Sequence, residues 1–144
     1  MGKKIIPLHF CKSKVPLIVF EIGDKKYYAI LDTGSEITLI SDKLKDIINI
    51  VDSDLQTSFT GVGGSTEYQN VKQGCSNIIL KDKDDEVVTA VIGGAFYNLK
   101  SVSSHFKDKS GEFIDISAII GGDFLKHYEA KINYKEKTLT LNIN

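Results

Sequence analysis

The sequence predicts an all-β fold carrying one or two short helices, and three observations predict it. Short runs rich in β-branched and aromatic residues recur, as at Val15 to Ile22, Lys25 to Leu31 and Thr138 to Ile143. Turn residues such as Gly23-Asp24 and Lys135-Glu136-Lys137 join these runs in pairs, which is the pattern of hairpins. Helical spacing of apolar residues is brief where it occurs at all, as at Leu44, Ile47 and Ile48.

Taken in order, Ile5 to Phe10 and Val15 to Ile22 read as strands, and Lys25 to Leu31 returns from the Gly23-Asp24 turn. Ser41 is a natural N-cap, so Ser41 to Ile50 reads as a short helix. Gln56 to Thr60 and Thr66 to Val71 flank Gly61-Val62-Gly63-Gly64-Ser65, a second hairpin with a Gly-rich tip. Ile78 to Leu80 and Glu86 to Ile92 are strands about the charged turn Lys81 to Asp85. The stretch from Gly93 to Glu112 reads as a loop with a short helix near Val102 to Phe106. Phe113 to Ile120 is an apolar run ended by Gly121-Gly122, Asp123 to Glu129 a short helix, and Ala130 to Tyr134 the partner of the last strand. No linker or low-complexity stretch divides residues 1–144, so they read as one domain, long enough to bury a core without disulfides or metals.

Composition narrows the function. A net charge of -1 gives no strong field toward nucleic acid or an acidic membrane. All 18 basic residues are Lys, so planar bidentate recognition of phosphate or guanine lacks its usual agent. No apolar stretch approaches the length of a membrane span. Cys11 and Cys75 are too few for a disulfide framework and fit no metal spacing. Two unpaired thiols and the lack of a signal-peptide pattern lead to an expected cytoplasmic location. His9, His105 and His127 are scattered, which argues against zinc, and the acidic run Asp82 to Glu86 lacks the spacing and Gly of a calcium loop. No metal and no cofactor is expected. The Gly61 to Thr66 stretch lacks the Lys of a phosphate loop and lies between strands, so it is not a nucleotide site.

Chemistry concentrates at Leu31-Asp32-Thr33-Gly34-Ser35. By itself Asp-Thr-Gly is an ordinary capped turn. Its setting is not ordinary: Tyr28, Ile30, Leu31, Ile37, Leu39 and Ile40 flank it, and placing a carboxylate at the end of a buried strand costs several kcal/mol unless it is paired, about 2–7 for even an uncharged polar group. Further along come the Gly-tipped hairpin and then Ile119-Ile120-Gly121 ahead of a short helix.

In this order, these features resemble the retropepsin-like aspartic proteases, over roughly residues 15 to 143. Ser35 stands where viral members commonly carry Ala, so the resemblance is closer to the cellular and bacterial single-lobe members. It implies an acid-protease half-barrel and an aspartic endopeptidase acting on peptide or protein substrates. A second Asp-Thr-Gly is missing, since Asp108-Lys109-Ser110-Gly111 has an extra residue and lies in a polar loop. An active enzyme would therefore be a homodimer with Asp32 from each subunit. The resemblance further implies that Thr33 bonds across the dimer axis, Gly34 permits close approach and offers its N–H, and Ser35 bonds the outer oxygen of Asp32. Ile119, Ile120 and Gly121 would pack beneath the turn, while Gly61, Val62, Gly63 and Gly64 would form a flap over the bound peptide. The alternative from a different class is a non-catalytic or latent module of the same fold, used for peptide binding or dimerisation.

Overall fold

A computed structural model describes residues 2–60 and 66–143. The strands are β1 (Gly2–Pro7), β2 (His9–Phe10), β3 (Pro16–Ile22), β4 (Lys25–Leu31), β5 (Leu39–Ser41), β6 (Asn49–Thr60), β7 (Thr66–Lys81), β8 (Val87–Tyr97), β9 (Ile116–Ile120), β10 (Lys131–Asn133) and β11 (Thr138–Ile143). Two short helices join them, α1 (Lys100–Ser103) and α2 (Gly122–His127).

The larger sheet runs β2-β3-β4-β9-β5-β8-β7-β6, and a bridge from Glu21 on β3 to Ile79 on β7 closes six of these strands into a barrel. Its interior holds Ile18, Phe20, Ala29, Ile40, Leu80, Ile92, Ala118 and Ile120, all fully enclosed. The second sheet, β1-β11-β10, contributes Ile6, Leu139 and Leu141 to the same core. Tyr128 locks α2 to the barrel: its ring packs on Phe124 and its hydroxyl accepts the Val91 N–H at 2.7 Å.

Several expectations are corrected. The helix read at Ser41 to Ile50 is one 3-10 turn, Asp42–Leu44, followed by turns and then β6. Ser41 does cap it, accepting from Lys43 N at 3.3 Å, and Leu44 and Ile48 are buried. Ile47, however, is 48% exposed, so the apolar face needed to extend the helix is absent. The loop expected from Gly93 begins only after Tyr97, since β8 continues through Gly93 and Gly94. Gly94 lies so close to β5 that a side chain there would strike the Thr38 carbonyl. Cys11 is buried, Cys75 is exposed, and both thiols are free. Among the described residues no helix is long and apolar enough to cross a membrane.

Candidate active site

Strand order builds the site. The chain leaves β4 at Leu31, turns through Asp32 to Thr38 and returns as β5, yet β4 and β5 are not neighbours. β9 lies between them, parallel to β4 with Leu31 opposite Ile120, and antiparallel to β5 with Leu39 opposite Ile119. Ile119, Ile120 and Gly121 thus run through the gap under the Asp32 turn. Asp32 N donates to Ile120 O at 2.9 Å, Gly122 N to Ser35 O at 2.6 Å and Asp123 N to Glu36 O at 3.1 Å. Such contact leaves no space for a side chain at Gly121, where a Cβ would press into the Ile37 carbonyl and lie 2.9 Å from Ser35 O.

Within the turn, Ser35 N donates to Asp32 O at 3.1 Å and Gly34 N donates to Asp32 Oδ1 at 3.0 Å. The carboxylate is therefore oriented by its own turn. It has no ion-pair partner among the described residues. Asp32, Thr33 and Gly34 are all exposed, which corrects the expectation of a desolvated carboxylate. The apolar flanks Leu31 and Ile40 point into the barrel, and by the two-residue period of a strand the Asp32 side chain points the other way. Ser35 also departs from expectation, because its hydroxyl donates to Ile37 O at 2.7 Å rather than to Asp32. A carbonyl two residues on is the nearest strong acceptor, as is usual for a turn serine.

Sequence reasoning missed two residues that hold this framework. Thr38, fully buried, donates from its hydroxyl to Asp123 Oδ1 at 2.6 Å and from its N–H to Asp123 Oδ2 at 3.0 Å. Its hydroxyl oxygen also accepts from Gly121 N at 3.0 Å. Asp123 Oδ1 takes the Phe124 N–H at 2.8 Å, so one carboxylate ties the start of β5 to the first turn of α2. The available signal was a lone hydroxyl in the apolar run Ile37-Thr38-Leu39-Ile40. Thr38→Val should cost about 1–3 kcal/mol, because it strands the buried Gly121 N–H and removes the hydroxyl bond to Asp123. Thr38→Ser should recover most of this in urea unfolding.

The other Asp-to-Gly turn, Asp108 to Gly111, is a different object. Asp108 Oδ1 accepts from the Ser110 hydroxyl at 2.6 Å, Ser110 N at 2.9 Å and Glu112 N at 3.0 Å. The Ser110 hydroxyl first, and then the Glu112 N–H, hold this carboxyl below the usual carboxylate range. Its Oδ1 is thus engaged by three donors of its own loop. The expected flap residues Gly61, Val62, Gly63 and Gly64 lie outside the described residues, although the strands β6 and β7 that lead to them pair directly up to Thr60 opposite Thr66.

The side of the turn facing away from the barrel carries half-buried apolar groups. Ile37, Leu39 and Tyr97 pack around Ala95, and Ile119 lies alongside Leu39. On the Asp32 face of β4, Ile30 and its cross-strand neighbour Leu17 are covered by Val102 and Phe106. The segment after β8, expected to be a loop with a short helix, thus supplies an apolar wall near the turn.

A search among curated proteins finds no match to the chain. The model of the family described as retroviral aspartyl protease matches residues 12–133. Spanning most of the 144 residues and taking in the whole path from the Asp32 turn through β9 to α2, that match makes the chain a member of the retropepsin-like aspartyl protease family.

Proposed function

We propose that residues 1–144 form an aspartic endopeptidase domain that acts as a homodimer, with a catalytic pair made of Asp32 from each subunit. The observation that carries this reading is the Asp32 turn: an exposed carboxylate, braced at Oδ1 by Gly34 N at 3.0 Å and from below by Ile120. Only one such turn occurs in the chain, so a pair requires two chains.

Two carboxyl groups meeting across a two-fold axis hold one proton between them, the established behaviour of aspartic proteases as a class. The ionised member takes a proton from a bound water as the water oxygen bonds to the peptide carbon. The protonated member gives its proton to the carbonyl oxygen. In the resulting gem-diol, one carboxyl protonates the nitrogen while the other recovers a proton from a diol hydroxyl. The C–N bond breaks to an acid and an amine, and the pair is left with its single shared proton. Gly34 orients the acid, Thr33 bonds across the axis, and Ile119, Ile120 and Gly121 keep the turn rigid. Ser35 braces the turn through Ile37 O and not through the carboxylate. Gly61, Val62, Gly63 and Gly64 close over the peptide and exclude water.

Ile37, Leu39, Tyr97 and Ile119 favour apolar side chains on either side of the scissile bond. A peptide-library digest across pH 4 to 7 should return an apolar profile, and Leu39→Ala should shift it toward bulkier residues. A profile dominated by charged residues at these positions contradicts the assignment of this wall. Absence of cleavage by a protein shown to be dimeric contradicts the function itself.

A further inference from the structure

We propose that the face built by β2, the outer side of β4 and the segment from His105 to Asp115 docks an acidic, extended peptide segment of protein substrates, at a distance from the Asp32 turn. That substrates use this face rests on the protease reading above; the binding itself does not. Two depressions meet there, on either side of Phe113. The larger, about 830 Å³, runs from Tyr28 on β4 past the Asp108 loop to Phe10 on β2. The smaller is walled by Lys12, Ser13, Ser104, His105 and Lys107. Phe113 is 64% exposed and Tyr28 42%, among the large apolar side chains that the described residues leave in solvent. Neither belongs to the core, so both stand as anchors for an incoming side chain.

The charge of this face selects an acidic partner. Five of the chain's 18 lysines line the two depressions, Lys12, Lys26, Lys107, Lys109 and Lys137, against two of its 19 acidic residues, Asp108 and Asp115. Both acids are engaged: Asp115 Oδ1 lies 3.2 Å from Lys43 Nζ, and Asp108 Oδ1 takes three donors of its own loop. None of the five lysines has a carboxylate within ion-pair distance among the described residues. Lys107 instead rests its ammonium 4.8 Å from the centre of the Phe113 ring. A chain of net charge -1 has thus gathered an uncompensated positive field on one aromatic surface. Such a field attracts and steers acidic groups.

The backbone at β2 suits a peptide. Cys11 N donates to Val15 O across the hairpin, so the neighbouring Phe10 turns its N–H and C=O away from β3. On that outer edge Leu8 N is held by Lys137 O and Lys12 N by Lys107 O, both at 2.8 Å. Phe10 sits between them with no hydrogen bond on its own N–H or C=O among the described residues. This opening matches the two main-chain hydrogen bonds that one residue of an extended peptide supplies. A nucleic acid offers no such backbone pair, and its phosphates meet no Arg fork here, since all 18 basic residues are Lys. Tyr28 precedes Asp32 by four residues on one face of β4, about 13 Å along the strand. A segment held in the groove is thus joined to the scissile bond by on the order of four or more residues. Holding it raises the substrate's local concentration at the paired carboxylates without touching them.

The test is direct binding to Asp32→Asn, which leaves the probe intact. The probe is a fluorescein-labelled Glu-rich peptide with a central Leu-Phe pair, read by anisotropy at about 0.15 M salt. Phe113→Ala, and separately Lys26→Glu with Lys109→Glu, are each expected to weaken binding about tenfold or more. These side chains are exposed, so the fold is kept. Leu39→Ala, in the cleft, should change binding by less than about twofold. Equal binding of a Lys-rich counterpart, or binding untouched by the substitutions on this face, would overturn the proposal. So would a preference for oligothymidine or for phosphatidylserine vesicles. A shift of the monomer–dimer balance by Lys26→Glu with Lys109→Glu, seen in sedimentation, would assign the face to a second copy and reject the peptide. In the active protein, joining the Glu-rich segment to a peptide cleaved in the library digest should lower KM about tenfold and leave kcat unchanged, a gain that Lys26→Glu with Lys109→Glu abolishes. Binding without any cleavage would reject the protease reading and keep the docking face. Cleavage without that gain, by a protein that binds no probe, would do the reverse.

Discussion

Asp32→Asn is expected to lower peptide cleavage by roughly 10²–10⁴-fold or more, while leaving the fold unchanged. The amide keeps the size of the side chain, and its oxygen can still accept the Gly34 N–H that now sits 3.0 Å from Oδ1. The side chain is exposed and faces away from the barrel, so its neutralisation leaves no charge stranded in the core. What disappears is the group that can take a proton from water. Urea unfolding should place the variant within about 0.5 kcal/mol of wild type, as for other surface replacements. Cleavage surviving in Asp32→Asn would mean that this turn is not the reacting centre. A large loss of stability would mean that Asp32 has a structural task that its exposed setting does not reveal.

Gly121→Ala is expected to damage both the fold and the activity. The added Cβ meets backbone, the Ile37 carbonyl and Ser35 O at 2.9 Å, and not the end of a side chain that could swing away. Overfilling a packed site costs about 1–3 kcal/mol, and backbone neighbours put this position at the upper end, about 3 kcal/mol. The strain is relieved by lifting the Asp32 turn off β9, which stretches the Asp32 N to Ile120 O and Gly122 N to Ser35 O bonds of 2.9 and 2.6 Å. Residual folded protein should thus cleave far more slowly even below its melting point, since misplacement by about 1 Å costs on the order of 10²-fold. Gly93→Ala is the matched control. Its nearest neighbour would be Gly74 O at 3.7 Å, an ordinary contact, and alanine in a strand interior is favoured over glycine by about 0.5–1 kcal/mol. Equal tolerance of both substitutions, read by thermal melting, would show that the passage under the turn can widen around an added methyl group.

Local patterns in the sequence carried much of this structure. Lys25 to Leu31 and Thr138 to Ile143 alternate or run apolar between clear turn residues, and both strands lie where those residues put them. β5 could not be read in this way. It is three residues long and exists because β8 and β9 flank it, a tertiary cause without a local signature. The Ser41 helix failed for a related reason: its cap and two of its apolar residues were correctly seen, but the chain is pulled into β6 at Asn49 by pairing with Cys75. At the site, Asp32, Gly34, Ile120 and Gly121 were legible as a motif. Thr38 and Asp123 were not, because their bond joins residues 85 apart in sequence and neither is unusual where it stands. The exposure of Asp32 is not legible because apolar neighbours in sequence need not be neighbours in space; Leu31 and Ile40 face the barrel and Asp32 does not.

Subunit mixing tests the shared pair most directly. Wild type is combined with a nine-fold excess of Asp32→Asn, at concentrations where sedimentation shows dimers, and cleavage per wild-type subunit is measured against wild type alone. If each subunit supplies one carboxylate, random pairing leaves only about one wild-type chain in ten with an intact partner, and specific activity falls to about a tenth. If one chain contains the whole site, specific activity stays at its original value, and the two-chain mechanism is wrong.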